Sequence, residues 1–274
     1  MRRADIAIKG ETSPAMTAIV VLMSGRILLL GTGTCQLDES RRASSVLIEL
    51  DDLRVVFDLG RGIADRLQAL GLRQDDVRHI VFSHFHPDHV SDLVPYLHAA
   101  AWSQTDARSV DLHLYGPIGL DVQMMRLLSL FGPQTLVRDH WRVHLHEIRG
   151  DELTIEGRRF EFLDLPPADN RGLRFRYGAV DTTSCVGLTG DSNFHEQAID
   201  FLAGTNLGVF DSGHLTDEQI VELAVRSGAP KLVCSHVYRP LDLEDLNGRA
   251  RQRGYRGELV LGQDLDSFSL TDGS

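Results

Sequence analysis

The stretch Ser83-His84-Phe85-His86-Pro87-Asp88-His89 constrains this chain more than any other. Three imidazoles and a carboxylate fall between His84 and His89, directly after the apolar run Arg78-His79-Ile80-Val81-Phe82. Imidazole nitrogens and carboxylate oxygens are the donors that suit Zn²⁺ and related divalent ions. On an extended strand end His84 and His86 point to the same side. Asp88 and His89 sit where the chain turns into a new helix, so they can face a second position beside the first. The spacing suggests a two-metal site. A lone histidine is more often structural than a ligand, but four donors gathered at one strand end have few bland explanations.

The rest of the chain narrows the class. With 274 residues, 42% hydrophobic and 24% charged, it has the composition of a soluble globular protein and enough length for a substantial core. A net charge of −11 argues against a broad basic surface for nucleic acid, because phosphate binding draws on clustered Lys and Arg. Cys35, Cys185 and Cys234 are odd in number and lack paired spacing, as expected of reduced thiols in a cytoplasmic protein. Ala18–Met23 is too short an apolar run to span a bilayer, and Asp5, Lys9 and Glu11 spoil it as a signal peptide. Residues 1–24 are expected to form an arm or extra edge strand, and residues 25–274 a single domain.

Along that domain, short apolar runs alternate with helical spacing. Arg26–Leu30 reads as a buried strand entering the Gly31-Thr32-Gly33-Thr34 turn. Strands flanking Asp51-Asp52 read as a hairpin, and Asp58-Leu59-Gly60 precedes a helix from about Gly62 to Leu70. After the histidine cluster come a helix over Ser91–Trp102, a strand at Asp111–Tyr115 and a helix through Val122–Leu130. His98 reads as a surface or packing residue. His144 and His146 alternate with apolar residues in what reads as an ordinary half-exposed strand. Pro166–Gly172 reads as a polar loop. Strands then deliver Asp191 within Thr189-Gly190-Asp191-Ser192, and Ser235-His236 after Lys231–Cys234, which reads as the last buried strand.

Metal-ligand residue types thus recur at the ends of separate core-type strands. On Val56-Phe57-Asp58-Leu59-Gly60, His84–His89, Thr189-Gly190-Asp191-Ser192 and Ser235-His236 the chain resembles the metallo-β-lactamase superfamily. It looks most like the ribonuclease Z-like branch, on Leu30–Thr34 followed by Arg41-Arg42-Ala43-Ser44-Ser45, and on Gly213-His214-Leu215-Thr216. The resemblance covers about residues 26 to 268. It implies an α/β fold, a four-layer αββα sandwich of two mixed β-sheets, with two divalent metals, Zn²⁺ first and Mn²⁺ or Fe²⁺ as alternatives. It also implies that His84 and His86 hold one metal, that Asp88, His89 and His236 hold the other, and that Asp191 bridges both. Asp58 would orient a ligand imidazole, or cap the following helix.

One departure concerns the first metal. The family pattern places a third histidine where this chain reads Leu165-Pro166-Pro167-Ala168-Asp169-Asn170. Asp169 is the candidate replacement. His144 or His146 folding in, or a weak or empty first site, are the alternatives. The resemblance further implies a metal-dependent hydrolase using a metal-bound hydroxide, with His214, assisted by Asp88, as proton donor to the leaving group, unless His214 merely caps the next helix. Arg41, Arg42, Ser44, Ser45 and Arg239 are candidate phosphate contacts. The expected substrate is a small phosphodiester or nucleotide. Transfer RNA is not expected, since the chain is acidic and lacks a long basic insertion. A lactone or thioester hydrolase, or a non-catalytic binding member, is the alternative. No membrane partner is expected, and a homodimer stays open.

Overall fold

Alternation along the strands decides the architecture. In β1 (Gly25–Gly31), Ile27 and Leu29 point into one apolar cluster while Leu28 and Leu30 point into another. Successive side chains leave a strand on opposite faces, so a strand apolar on both faces must be covered twice. The computed structural model describes residues 25–166, 170–178 and 183–271. Its first half continues with β2 (Ser45–Leu50), β3 (Leu53–Phe57), α1 (Ile63–Ala69), β4 (His79–Val81), α2 (Pro87–Val90), α3 (Leu93–Trp102), β5 (Leu112–Gly116), α4 (Leu120–Phe131), α5 (Pro133–Leu136) and β6 (Val143–Glu147). The second half runs β7 (Glu152–Ile155), β8 (Arg158–Leu165), β9 (Asn170–Tyr177), β10 (Ser184–Leu188), α6 (Glu196–Leu202), β11 (Leu207–Asp211), α7 (Asp217–Ser227), β12 (Lys231–Ser235), α8 (Leu243–Gln252), β13 (Glu258–Leu261) and β14 (Ser267–Ser269).

Two seven-stranded sheets result, ordered β14-β1-β2-β3-β4-β5-β6 and β13-β12-β11-β10-β9-β8-β7. Each is mixed: β1, β2 and β3 pair antiparallel and β3 to β6 parallel, while β7 to β10 pair antiparallel and β10 to β13 parallel. The central core holds Ile27, Ile48, Val55 and Phe57 of one sheet against Phe160, Phe175, Val186 and Val233 of the other. A second core joins the first sheet to α1, α3 and α4 through Leu47, Leu67, Leu97 and Met124, and a third joins the second sheet to α6, α7 and α8 through Phe210, Leu202, Ile220 and Leu246. Helix, sheet, sheet and helix give four layers, the expected αββα sandwich.

Several local expectations need correction. β9 starts at Asn170, inside the stretch expected to be a polar loop; Asn170, Arg171 and Gly172 pair with Leu165, Asp164 and Leu163 and are buried. Lys231–Cys234 is the last largely buried strand, as expected, but two more exposed strands, β13 and β14, follow it. β13 pairs parallel with β12, and β14 returns to the first sheet to pair antiparallel with β1. The expected arm over residues 1–24 and the expected ligand Asp169 lie outside the described residues. Among the described residues no helix is long and apolar enough to cross a membrane.

Candidate metal centre

Every functional side chain sits where a strand of one sheet or the other ends, on a single rim of the sandwich. β4 is three residues long and buried throughout, and the chain leaves it as Phe82-Ser83 into His84. Pro87 at the first turn of α2 suits a helix start, and that turn presents Asp88 and His89. From the other sheet, β10 leads through Gly190 (φ 62°) to Asp191, β11 ends in Asp211, and β12 leads to His236, itself held at φ 53°. Asp58, just after β3, adopts φ 65°. Left-handed backbone is uncommon for residues with a side chain, and here two such residues carry chemistry of the rim.

Asp191 is the meeting point. Its Oδ1 lies 2.9 Å from His89 Nε2 and 3.2 Å from His236 Nε2, and its Oδ2 lies 3.6 Å from His84 Nε2 and 4.0 Å from His86 Nδ1. His236 Nε2 also lies 3.4 Å from Asp88 Oδ2. Three overlapping groups therefore bring ligand atoms within reach of one cation each: His84, His89 and Asp191; Asp88, His89 and His236; and Asp191, Asp211, His214 and His236. His86 is the outlying member, its side chain 64% exposed. His144 and His146 are not among these groups; they pack instead on β6 beside His113.

Buried carboxylates fix the imidazoles from behind. Asp58 accepts from Ser83 N at 2.7 Å and Ser83 Oγ at 2.8 Å, and lies 2.7 Å from His89 Nδ1. It does not cap α1, whose N-cap position is Gly62. Ser83 Oγ in turn meets His84 Nδ1 at 2.9 Å. Asp211 was not foreseen from the sequence. It is 2% exposed, lies 3.3 Å from His236 Nδ1 and 2.5 Å from His214 Nδ1, and accepts the backbone amides of Ser192, Gly213 and His214. The cap of α7 is Thr216, not His214. His214 stacks on His236 at 5.3 Å between ring centres and leaves part of its ring at the surface. Tyr238 closes the rim, edge-on to both of these rings, with its hydroxyl 3.4 Å from Cys35 Sγ.

The protonation preferences follow from this geometry. Burial, with the neighbouring His89, lowers His84 to about 4, so it is a neutral donor near pH 7. Burial alone would also lower His236, but its contacts with Asp211 and Asp88 outweigh that and raise it to about 9. His89 follows the same pattern: burial opposes its charge, and Asp58 and Asp191 push it well above the ordinary value. The hydrogen bond to Asp211 raises His214. Burial would raise Asp211 itself, but His214 and His236 hold it well below the usual carboxylate range.

A family model of the metallo-beta-lactamase superfamily matches residues 40–236. The chain belongs to this superfamily. Ribonuclease Z of Streptococcus pneumoniae (strain CGSP14) is 33% identical over 130 residues, which is 46% of this chain and 40% of that protein. The match thus spans well under half of the relative's length. In fold, the chain is similar to the metallo-beta-lactamase fold protein YhfI of Bacillus subtilis, with a TM-score of 0.71 at 18% identity over 90% of this chain and 100% of that one. It is also similar to human tRNase Z, short form, with a TM-score of 0.65 at 19% identity and the same coverage.

The donors of this metallo-β-lactamase rim fit a divalent cation better than they fit one another. His84 Nε2, His89 Nε2 and Asp191 Oδ1 are buried, and none makes an aligned hydrogen bond even though the last two stand 2.9 Å apart, whereas buried polar atoms are nearly always paired. Three orphaned ligand atoms converging on one point are what a cation-binding pocket requires. Two of the expected phosphate contacts are engaged within the chain: Arg41 bonds Thr32 Oγ1 and Gly262 O, and Arg239 bonds Leu215 O and Asp217. Ser45 Oγ donates to Asp58 O and is buried. The imidazoles of His86 and His214 are exposed polar groups of the rim.

Proposed function

We propose that this chain is a metal-dependent hydrolase, a phosphodiesterase acting on a small phosphodiester or nucleotide. The convergence of buried, unpartnered donors on Asp191 carries the reading. His84, His86 and Asp191 would hold one divalent cation, and Asp88, His89, His236 and the shared Asp191 a second. When bound, such cations supply Lewis acidity and lower the pKa of water towards neutrality. The chain's own residues do the rest. Asp58 and Asp211 hold His89 and His236 from behind, so that their Nε2 atoms face the centre. His214 has its Nδ1 tied to Asp211, which leaves Nε2 as the proton-carrying atom at the surface for a departing alkoxide. The ribonuclease Z match over 130 residues supports a phosphodiester over other substrates. Net charge and the lack of a long basic insertion in the sequence favour a small substrate over transfer RNA.

Turnover of bis-p-nitrophenyl phosphate tests this directly. The purified chain should hydrolyse it, lose the activity to a chelator and regain it with Zn²⁺ or Mn²⁺. Failure to turn over this or other small phosphodiesters under any metal would sink the proposal.

A further inference from the structure

The first two residues of β9 each hold one loop of the centre. Asn170 is 1% exposed, and its Nδ2 donates to Thr189 O at 3.0 Å, just before the Gly190-Asp191 turn. The next residue, Arg171, donates its backbone N–H to Ser83 O at 2.9 Å, just before His84. One strand end thus ties the loop carrying His84 to the loop carrying Asp191, although the two loops come from different sheets.

The packing there leaves no slack. A Cβ on Gly190 would lie 2.6 Å from Asn170 Oδ1 and 2.8 Å from Ser83 Cβ, so only glycine lets the three segments meet. Asn170 Oδ1 is buried yet has no hydrogen-bond partner. An apolar side chain of that size would fill the space without orphaning an acceptor, so packing alone does not account for a carboxamide. The half of the centre it buttresses is also the looser one. His86 is mostly exposed, and His84 and His86 stand 3.6 and 4.0 Å from Asp191, against 2.9 and 3.2 Å for His89 and His236. His89 and His236 each have a buried carboxylate behind them, whereas His84 has only Ser83 Oγ.

We propose that Asn170 is a positioning residue of the metal centre, fixing the gap between the His84 and Asp191 loops and so setting how tightly that half holds a divalent cation. The inference rests on the metal-dependent reading above. Metal content and chelator-competition titrations with Zn²⁺ on the full chain would test it, with the melting temperature of the stripped protein as the control. Wild type should bind two ions. Asn170→Ala and Asn170→Leu should weaken the ion on the His84 side by about 10- to 100-fold and the other, which shares Asp191 but also has Asp88, His89 and His236, by much less, with stripped proteins melting close to stripped wild type. Gly190→Ala, which crowds the same contact from the other side, should reproduce the selective loss and serves if the Asn170 variants fold poorly. Two ions held with wild-type affinity in these variants would overturn the role of Asn170 alone. Equal weakening of both ions together with a lower melting temperature of the stripped protein would also overturn it, because that is general damage. A wild type that binds no ion would overturn it together with the metal-dependent reading.

Discussion

At the scale of single residues, Asp211 is the group on which two proposed functions converge. It touches the Nδ1 of His214 and lies against the Nδ1 of His236, so one carboxylate contacts both the proposed proton donor and a proposed metal-ligand imidazole. His214→Ala should lose turnover while keeping its metal, by the assays described. Asp211→Asn should lower turnover by about 10- to 100-fold, the range typical of groups that orient ligands. The pH profile separates the two roles. His214 must be protonated to donate, and Asp211 raises its pKa, so activity should fall as pH rises through that raised value. Asp211→Asn should move this alkaline limb to lower pH; an unmoved limb would remove His214 as the donor. The ligand types were legible in the sequence because His84–His89, Asp191 and His236 each follow a core-like run. Asp211 was not, because it gains meaning only when β11 lies parallel to β12 and places it opposite Ser235, next to His236.

At the scale of elements, β4, β5 and β6 share a histidine ladder whose members are outside the candidate metal groups. His79, His113 and His144 lie in register on the three strands, with Tyr115 opposite His146. Their rings stack at 5.2, 4.7 and 4.5 Å for His79–His113, His113–His144 and Tyr115–His146. Glu156 faces His79 at one end and Asp111 faces His144 at the other, while His113 Nδ1 lies 3.0 Å from His146 Nε2, another imidazole, rather than from a carboxylate. Burial first, then the neighbouring imidazoles and Arg78, lower His113 to about 4; burial likewise lowers His79 and His146. The folded state therefore binds fewer protons here than the unfolded chain. Stability from these groups is present above the ordinary histidine value of 6.5 and is lost as pH falls towards about 4. The urea midpoint of the metal-stripped protein should drop over that window, and His113→Asn should flatten the slope without removing it, since His84 titrates with the same sign. An equal slope in the variant would count against the ladder. The alternation of His144 and His146 was readable in the sequence as a half-exposed strand. Their stacking on His113 and Tyr115 depends on strand order, which alternation does not encode. The start of β9 was hidden for a different reason: the prolines and glycine around Asn170 carry turn signals that the pairing with β8 overrides.

At the scale of the molecule, the centre spans the sandwich. His84 follows β4 and Asp88 and His89 lie on α2, next to the first sheet, while Asp191 follows β10, Asp211 ends β11 and His236 follows β12 in the second. A cation held between them binds only the folded arrangement and adds about 4 kcal/mol of stability at a thousandfold excess over its Kd. Chelator should then lower the melting temperature by roughly 10 °C for a chain of this size, read by scanning calorimetry; an unchanged melting temperature would mean that the cations do not bridge the sheets. The four-layer order was legible through the family resemblance carried by the motifs at the strand ends, and the structure supplies its physical reason, since strands such as β1 are apolar on both faces. α8 and β14 were not, since α8 is largely polar and exposed and β14 is only Ser267-Phe268-Ser269.

The return of β14 to β1 also has a consequence for how the protein comes into being on the ribosome. Arg26 pairs with Ser269 and Ile27 with Phe268, so one edge of the first sheet stays open until almost the whole described chain has been synthesised. Until β14 has been made, the edge of β1 that it covers lacks that partner strand, the kind of surface on which nascent chains pair wrongly with one another.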